Sequence, residues 1–332
     1  MIKKILGIAV FAVAVASISP AQAADKLMLG NTLGTSDLTG MVAVLKGYFK
    51  DQGLDVEYKG VPRGAIALGA VAGGQLQFAE SAHVPFMVAA SKGVPLVSVG
   101  VAGRGFLGKM VAATKDAGLK TLADFKGKRI GIQLGTGVHT VILMLLQQEH
   151  LKPEDFQFAN IRVVDMPAAM AAPNNNFDAV IGWEPGMQRI VQSGHGKIVI
   201  DAAQFEQMAH ITYPFLLSTT QTYAKAHPDI VQKVVNAYTR AEKYIREHKD
   251  EAVKIYTDSV VARGGKLTED MVRVMLFDTE RFGGVAFSDG DLKDLAATRD
   301  FLAKDGQLKD MPPFDKVIDQ SFAKKAEAAL MH

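Results

Sequence analysis

The chain has 332 residues, 48% hydrophobic and 22% charged, with 37 basic residues against 35 acidic ones and no cysteine. The missing thiol excludes disulfide staples, thiolate metal sites and thiol catalysis. The near-balance of charge offers nothing to a nucleic acid or an anionic membrane surface. The length predicts two lobes, since single cores stop growing near about 250–300 residues.

The chain opens with Lys3 and Lys4, an apolar run over residues 5–18, and Ala21-Gln22-Ala23. This is the charged, apolar and small-residue order of a secretion signal. The run is shorter than the about 20 residues that a spanning helix needs. Residues 1–23 are therefore expected to be a cleaved signal peptide, and the mature chain, from Ala24, to be periplasmic. Without Lys3 and Lys4, basic and acidic residues balance at 35 each. No later stretch is long and apolar enough to span a bilayer, so no direct membrane insertion is expected.

An approximate repeat follows, with an offset near 100 residues. The first copy reads as a strand over 26–30, a turn over 33–36, a helix to Gln52 and a strand over 54–58. A helix from Ala65, a strand over 75–79 and a turn through Ser81, His83 and Pro85 complete it. The second copy reads as a strand over 128–132, a turn over 134–137, a helix to His150 and a strand over 161–164. A short helix over 168–172, a strand over 177–181 and a turn through Trp183, Glu184 and Pro185 close it. Alternating strands and helices predict parallel sheets with right-handed crossovers, whether the copies are related or are two chance examples of a common unit. In such sheets ligands bind beyond the carboxyl ends of the strands. Those ends are the turns at Asn31 to Ser36, at Ser81 to Pro85, at Gly135 to His139 and at Gly182 to Gly186.

Residues 94–104 lead out of the first lobe, and residues 210–219, with Tyr213-Pro214, lead back. Pro228 then starts a long helix whose stripe is Val231, Val234, Val235, Ala237, Tyr238, Ala241 and Ile245. Three more helices are expected near 268–282, 289–304 and 315–330, returning to the first lobe.

The stretch IGIQLGTGVHTVILMLL, residues 130–146, is a strand, a glycine turn and a helix start. Three readings are open. Gly135 and Gly137 fit the first two glycines of a dinucleotide fingerprint, but Thr140 stands at the third and Asp165 lies too far along. A plain tight turn with Thr136 as N-cap is the second. The third is an anion site, because the first N–H groups of a helix lack intrahelical partners and carry about half a positive charge. Thr136 and His139 would add donors to it. Trp183 is either a core aromatic or a ring against a ligand's carbon body, with Glu184 accepting from an amine or hydroxyl. Arg104, between glycines, either faces an anion or lies on the surface. His83, His139 and Glu184 could form a zinc site only if the fold brought them together. No catalytic motif emerges: the eight histidines contain no H-E-x-x-H, and there is no G-x-S-x-G elbow.

The segments LKGYFKDQGLDVEY, LADFKGKRIGIQLGTGVH, FDAVIGWEPGMQRI and HPDIVQKVVNAYTRAEKYI, in this order and spacing, carry a family resemblance. The chain resembles the periplasmic solute-binding proteins of the nitrate/sulfonate/taurine ABC importers. That family also includes riboflavin- and pyrimidine-precursor-binding relatives. The resemblance implies a type II periplasmic binding protein, with two parallel-sheet α/β lobes joined by a hinge and a helical C-terminal segment. Lobe 1 would be residues 24–104 and 220–332, and lobe 2 residues 105–219. By position, the family's ligand-contacting turns fall on Asn31, Thr32, Ser81, His83, Gly135, Thr136, Gly137, His139, Trp183 and Glu184. Arg104 and Tyr213, at the two lobe connections, join the expected set. Sulfonate binders commonly carry a serine where this chain has Gly137.

The implied function is the extracytoplasmic component of an ABC importer. It would capture a small organic anion or zwitterion, sulfonate- or taurine-like or an aromatic acid. A monomer that meets a membrane permease is expected, with no cofactor, metal or catalytic residue. The alternative is a pyrimidine- or thiamine-precursor binder, or a synthase-like enzyme of the same fold. That synthase draws on a cysteine-rich iron motif, which a cysteine-free chain cannot supply.

Overall fold

The computed structural model describes residues 25–330 apart from 33, 117 and 278–280. The expected signal, residues 1–23, lies outside the described residues. Among the described residues there are ten strands: β1 Asp25–Asn31, β2 Leu54–Gly60, β3 Phe78–Ala82, β4 Leu96–Gly103, β5 Lys109–Ala113, β6 Arg129–Ile132, β7 Gln157–Asn160, β8 Ala179–Gly182, β9 Gly196–Ile200 and β10 Phe215–Thr220. They form two five-stranded sheets, in the orders β2-β1-β3-β10-β4 and β7-β6-β8-β5-β9. The two orders are the same when each sheet is counted from its first parallel strand. The repeat seen in the sequence is thus a repeat of topology.

The sheets are mixed rather than all parallel. In the first, β10 runs antiparallel to β3 and β4; in the second, β5 runs antiparallel to β8 and β9. The reason is how the chain crosses between lobes. β5 is the first strand after the outward crossing and β10 the first after the return. Each starts level with the ends of its neighbours: Lys109 pairs with Gly182, and Phe215 with Ala82 and Gly103. A strand entering from the edge where the others finish must run against them. The two crossings are joined to each other, with Gly105 N–H donating to Thr212 O at 2.8 Å. The return also comes earlier than expected. Residues 215–219, assigned to lobe 2 from the sequence, are strand β10 of the first sheet. Likewise residues 96–103, read as a connection, are the buried strand β4.

β4 is an edge strand, and its exposed ladder is covered. Val101 N–H donates to Val285 O and Arg104 N–H to Arg281 O. The helix Pro228–Glu247 buries the anticipated stripe from Val231 to Ile245, along with Glu242. It packs with Phe49, Tyr256 and Val260 on one face of the first sheet. Helices Gly64–Ala72, His83–Ser91 and Asp289–Lys304 cover the other face. Helix Lys249–Ala262 was not anticipated; its apolar stripe is weak because charged residues fill its first turn. Helix Glu269–Phe277 is shorter than expected, and the last expected helix splits into Phe314–Val317 and Ser321–Leu330.

The strand anticipated at 161–164 is displaced to β7. The parallel ladder of β6 and β7 ends with Ile161 N–H on Ile132 O. Val163 then turns into a short 3-10 segment. There it wedges against Gly182 and Gly186, where an added Cβ would meet it at 3.2 and 2.9 Å. Its hydrophobicity serves a turn contact, not a strand face.

Candidate ligand cleft

Because both crossing strands start at the carboxyl edges of their new sheets, those two edges face the same junction. The turns beyond them are the candidate site.

In the first lobe, β1 ends at buried Asn31, whose amide donates to Lys59 O at 3.4 Å. The next residues wind around one carboxylate. Asp37 Oδ2 accepts from Thr32 N–H at 3.0 Å, Thr32 Oγ1 at 2.7 Å and Gly34 N–H at 2.8 Å. Thr32 is exposed, while Thr35 and Ser36 are buried. Ser81 follows on β3, and the helix that starts at Gly64 sits directly on it: a Cβ on Gly64 would lie 2.8 Å from Ser81 Cβ. Among the described residues, Thr35 Oγ1 and Ser81 Oγ are buried without a hydrogen-bond partner.

In the second lobe, β6 leads through Gly135 into the helix Gly137–Gln148. Gly135 adopts φ +70°, a left-handed conformation that glycine takes freely, and the space beside its Cα is open. Thr136 is the N-cap: its Oγ1 accepts from His139 N–H at 3.3 Å and donates to Gln133 O at 2.8 Å. His139 Nδ1 accepts from Gly135 N–H at 3.4 Å, so in the neutral ring the proton sits on Nε2. Partial burial pulls the imidazole below its ordinary value and favours that neutral form.

Tyr213 completes this turn. Its backbone N–H donates to Asp294 Oδ2 at 2.7 Å. Its ring packs edge-on against His83, Phe106 and Phe215. Its hydroxyl reaches the helix start, where a Cβ on Gly137 would lie 1.8 Å from it. Gly137 is therefore required by Tyr213, and the tyrosine brings a hydroxyl to the helix start. Burial raises the Tyr213 hydroxyl well above its usual range, so it stays a donor.

Three expected ligand contacts are otherwise engaged. Arg104 is buried and bonded to Asp291 through Nε and Nη2, to Gly284 O at 2.6 Å and to Ala286 O at 2.8 Å. It locks the outward crossing onto the C-terminal segment and leaves nothing for an anion. His83 is buried between Pro214 O at 3.2 Å and Thr298 Oγ1 at 3.3 Å, beneath the return crossing. Glu184 is buried, 3.1 Å from Lys109 Nζ, and accepts from Gln188 N–H at 2.9 Å. Among the described residues, His83, His139 and Glu184 do not come together as a group that could hold a metal ion. Trp183 is partly buried and packs between the two core clusters of the second sheet, with one part of its surface open.

The sequence reading missed a group of residues under the first turn: Asp37, Tyr58, Glu80 and Tyr238. Tyr58 and Tyr238 hydroxyls lie 2.5 and 2.7 Å from the Glu80 carboxyl oxygens. One signal was available, since Glu80 is a charged residue inside the apolar strand FAESA. Tyr256, on the helix Lys249–Ala262, is a further member. Its hydroxyl is pushed up by burial and by the charges of Asp37 and Glu184, which places it in the field of both lobes' turns.

Residues 36–252 match the family described as NMT1/THI5 like. A Bacillus subtilis protein named as a candidate aliphatic sulfonates-binding protein is 23% identical over 86% of this chain and 84% of its own length. The taurine-binding periplasmic protein of Escherichia coli is 25% identical over 59% of each chain. Among solved structures, the alkanesulfonate-binding protein SsuA from Xanthomonas axonopodis pv. citri, bound to MOPS, superposes with a TM-score of 0.74. It is 20% identical and covers 90% of this chain and 100% of its own. The periplasmic nitrate-binding protein NrtA from Synechocystis PCC 6803 superposes with a TM-score of 0.71 at 15% identity, over 92% and 89%. These likenesses carry the two-lobed periplasmic-binding-protein fold, and the chain belongs to the NMT1/THI5-like family.

Proposed function

We propose that the protein is the extracytoplasmic solute-binding component of an ABC importer and that it captures a small organic anion or zwitterion between its lobes. The observation that carries this reading is the second-lobe turn. There the first N–H groups of a twelve-residue helix, the open side of Gly135, the His139 ring and the Tyr213 hydroxyl converge. An anionic end placed there would meet backbone dipoles and neutral donors without displacing a protein carboxylate. Its other end would meet Thr32, Ser81 and the open face of Trp183. The named sulfonate and taurine relatives bind ligands of this kind and are binding proteins rather than enzymes.

Residues 1–23 direct export and are removed, and the mature chain works in the periplasm as a monomer. The paired crossings at Gly105 and Thr212 act as the hinge, with lobe 2 running from the outward crossing to Tyr213. The closed, loaded form docks on a membrane permease.

The test is a ligand panel against the mature protein: taurine, ethanesulfonate, nitrate, benzoate and a pyrimidine. Melting temperature and Trp183 emission are read together. A cognate solute at a hundredfold excess over Kd should stabilise the fold by about 2.7 kcal/mol. Turnover of any of these compounds would overturn the binding-protein reading, and so would a full panel with no binder.

A further inference from the structure

Under the first-lobe turn, Glu80 meets two tyrosine hydroxyls and a second carboxyl, Asp37. Tyr58 has one hydroxyl proton. Its oxygen lies 2.9 Å from the backbone carbonyl of Asp37, which can only accept, so the proton belongs there. The same oxygen lies 2.5 Å from Glu80 Oε2. A side-chain hydrogen bond also joins Glu80 to Asp37. One tyrosine proton cannot serve all three contacts, so a carboxyl proton is needed, and Glu80 is the carboxyl not already filled with donors. Asp37 shows the opposite pattern. Two backbone N–H groups and the Thr32 hydroxyl converge on its Oδ2, a set of donors that calls for an ionised acceptor. Burial raises both carboxyls, but the donors from Thr32 and Gly34 pull Asp37 back down while the Asp37 charge pushes Glu80 further up, so the proton they share belongs to Glu80.

We infer that Glu80 is a neutral carboxylic acid at neutral pH and acts as a positioning residue, its proton allowing Asp37 to stand as the single carboxylate around which the ligand-facing turn is wound. The inference rests on the proposed function only in calling that turn ligand-facing. The crowding supports it. A Cβ on Gly40 would lie 2.6 Å from both tyrosine hydroxyls and 2.8 Å from Glu80 Oε1, so the three oxygens close over that glycine. Among the described residues, the groups that act on Glu80 most strongly are Asp37, Tyr58 from β2 and Tyr238 from the helix Pro228–Glu247, none of them a cation. Tyr256 faces Asp37 from the helix Lys249–Ala262, with Arg263 and Glu184 beyond it. Burial, then the Asp37 charge, raises the Glu80 carboxyl well above its usual range. The turn held in this way carries the Thr32 hydroxyl and the buried, unpartnered Thr35 hydroxyl. Loss of the Glu80 proton to solvent would set two carboxylates side by side and loosen it.

The sign of the linkage is fixed. An acid whose folded pKa is raised takes up a proton on folding, above the unfolded value of about 4.3. Its contribution is whole below that pH and is lost as pH rises towards the folded value, with a tenfold change in the unfolding constant per pH unit for one proton.

The experiment uses the mature protein and Glu80→Gln, which keeps the shape and a donor. Carbon-13 NMR of glutamate carboxyls in the wild type should show a neutral carboxyl at pH 7 that is missing from Glu80→Gln. Glu242, whose carboxyl is pushed up to about 7 by burial, is assigned with Glu242→Gln. Unfolding followed across pH should give a wild-type slope steeper than that of Glu80→Gln by one proton. Amide exchange at Thr32 and Gly34 should stay slow in Glu80→Gln and become fast in Glu80→Ala. Taurine and ethanesulfonate serve as binding probes and should bind Glu80→Gln as they bind the wild type. A wild-type Glu80 carboxyl that titrates in the ordinary range would overturn the assignment, and this needs no folded variant. Equal amide protection in Glu80→Ala and wild type would overturn the positioning role. If neither probe binds any form, the rest of the panel decides the proposed function, while the carboxyl and exchange results still decide the role of Glu80.

Discussion

The two turns that face the lobe junction solve the same problem in opposite ways. The first is organised by a side chain: Asp37 gathers the donors of Thr32 and Gly34, and a buried network of Glu80, Tyr58 and Tyr238 stands behind it. The second is organised by the backbone: a helix N-terminus, two glycines and an N-cap, with Tyr213 laid across it. The first has its negative charge built in and buried. The second has a half-positive helix end and neutral donors. Under the proposed function, an anion therefore has one suitable end of the cleft, and the first turn is left to a hydroxyl, an amine or an apolar body.

The comparison is broken most severely at Asp37. Asp37→Ala leaves two backbone N–H groups without their acceptor, and hydrogen bonds to a charged group contribute about 1.5–3 kcal/mol each. Chemical denaturation should show a loss of at least that size, with faster amide exchange confined first to Thr32 and Gly34. Unchanged stability would mean that the turn holds itself. At the second turn the sensitive position is Gly137. Gly137→Ala drives a methyl into the Tyr213 hydroxyl, and overpacking of this kind costs about 1–3 kcal/mol. Calorimetry with the best solute of the panel should find binding lost in Gly137→Ala and partly restored in Gly137→Ala with Tyr213→Phe. An additive double variant would separate the glycine from the tyrosine.

The two turns also differ in how far they can be read from the chain. The second is local. Strand, glycines, N-cap and helix lie within residues 130–148, and each rests on a rule of short range, so the residues 135–139 were placed correctly as a turn opening a helix. The stripe of Pro228–Glu247 was legible for the same reason. The first turn depends on partners 22 and 158 residues from Glu80, which no periodicity reports. Arg104 and His83 were misjudged on the same ground. Arg104 was expected at a lobe connection, facing an anion or solvent, and His83 in a ligand-contacting turn, and each is consumed by partners 131 to 215 residues away. The reversed directions of β5 and β10 were equally hidden, because they follow from the route of the chain between lobes and not from any property of the strands.

Smaller effects sharpen the contrast. Thr136→Ala removes the N-cap acceptor for His139 N–H and should cost about 1 kcal/mol. It should weaken ligand binding without touching the amides of Thr32 and Gly34. The reverse result, with exchange changing in both turns, would show that they are one mechanical unit.

The smallest expected effect is one of sign. His139 is held below its ordinary pKa by burial, with the charge of Asp305 opposing. A base with a depressed folded pKa contributes stability that is present above its unfolded value of about 6.5 and is lost as pH falls towards the folded one. The Glu80 acid runs the other way, losing its contribution as pH rises. The second turn should therefore weaken on the acid side and the first on the alkaline side. His83 is depressed in the same direction as His139, so wild-type melting curves alone mix the two. Comparing wild type with His139→Gln isolates the second turn, and its slope difference should appear only below about pH 6.5. A difference that persisted at alkaline pH would mean that His139 is coupled to the carboxyl network, and the independence of the two turns would be lost.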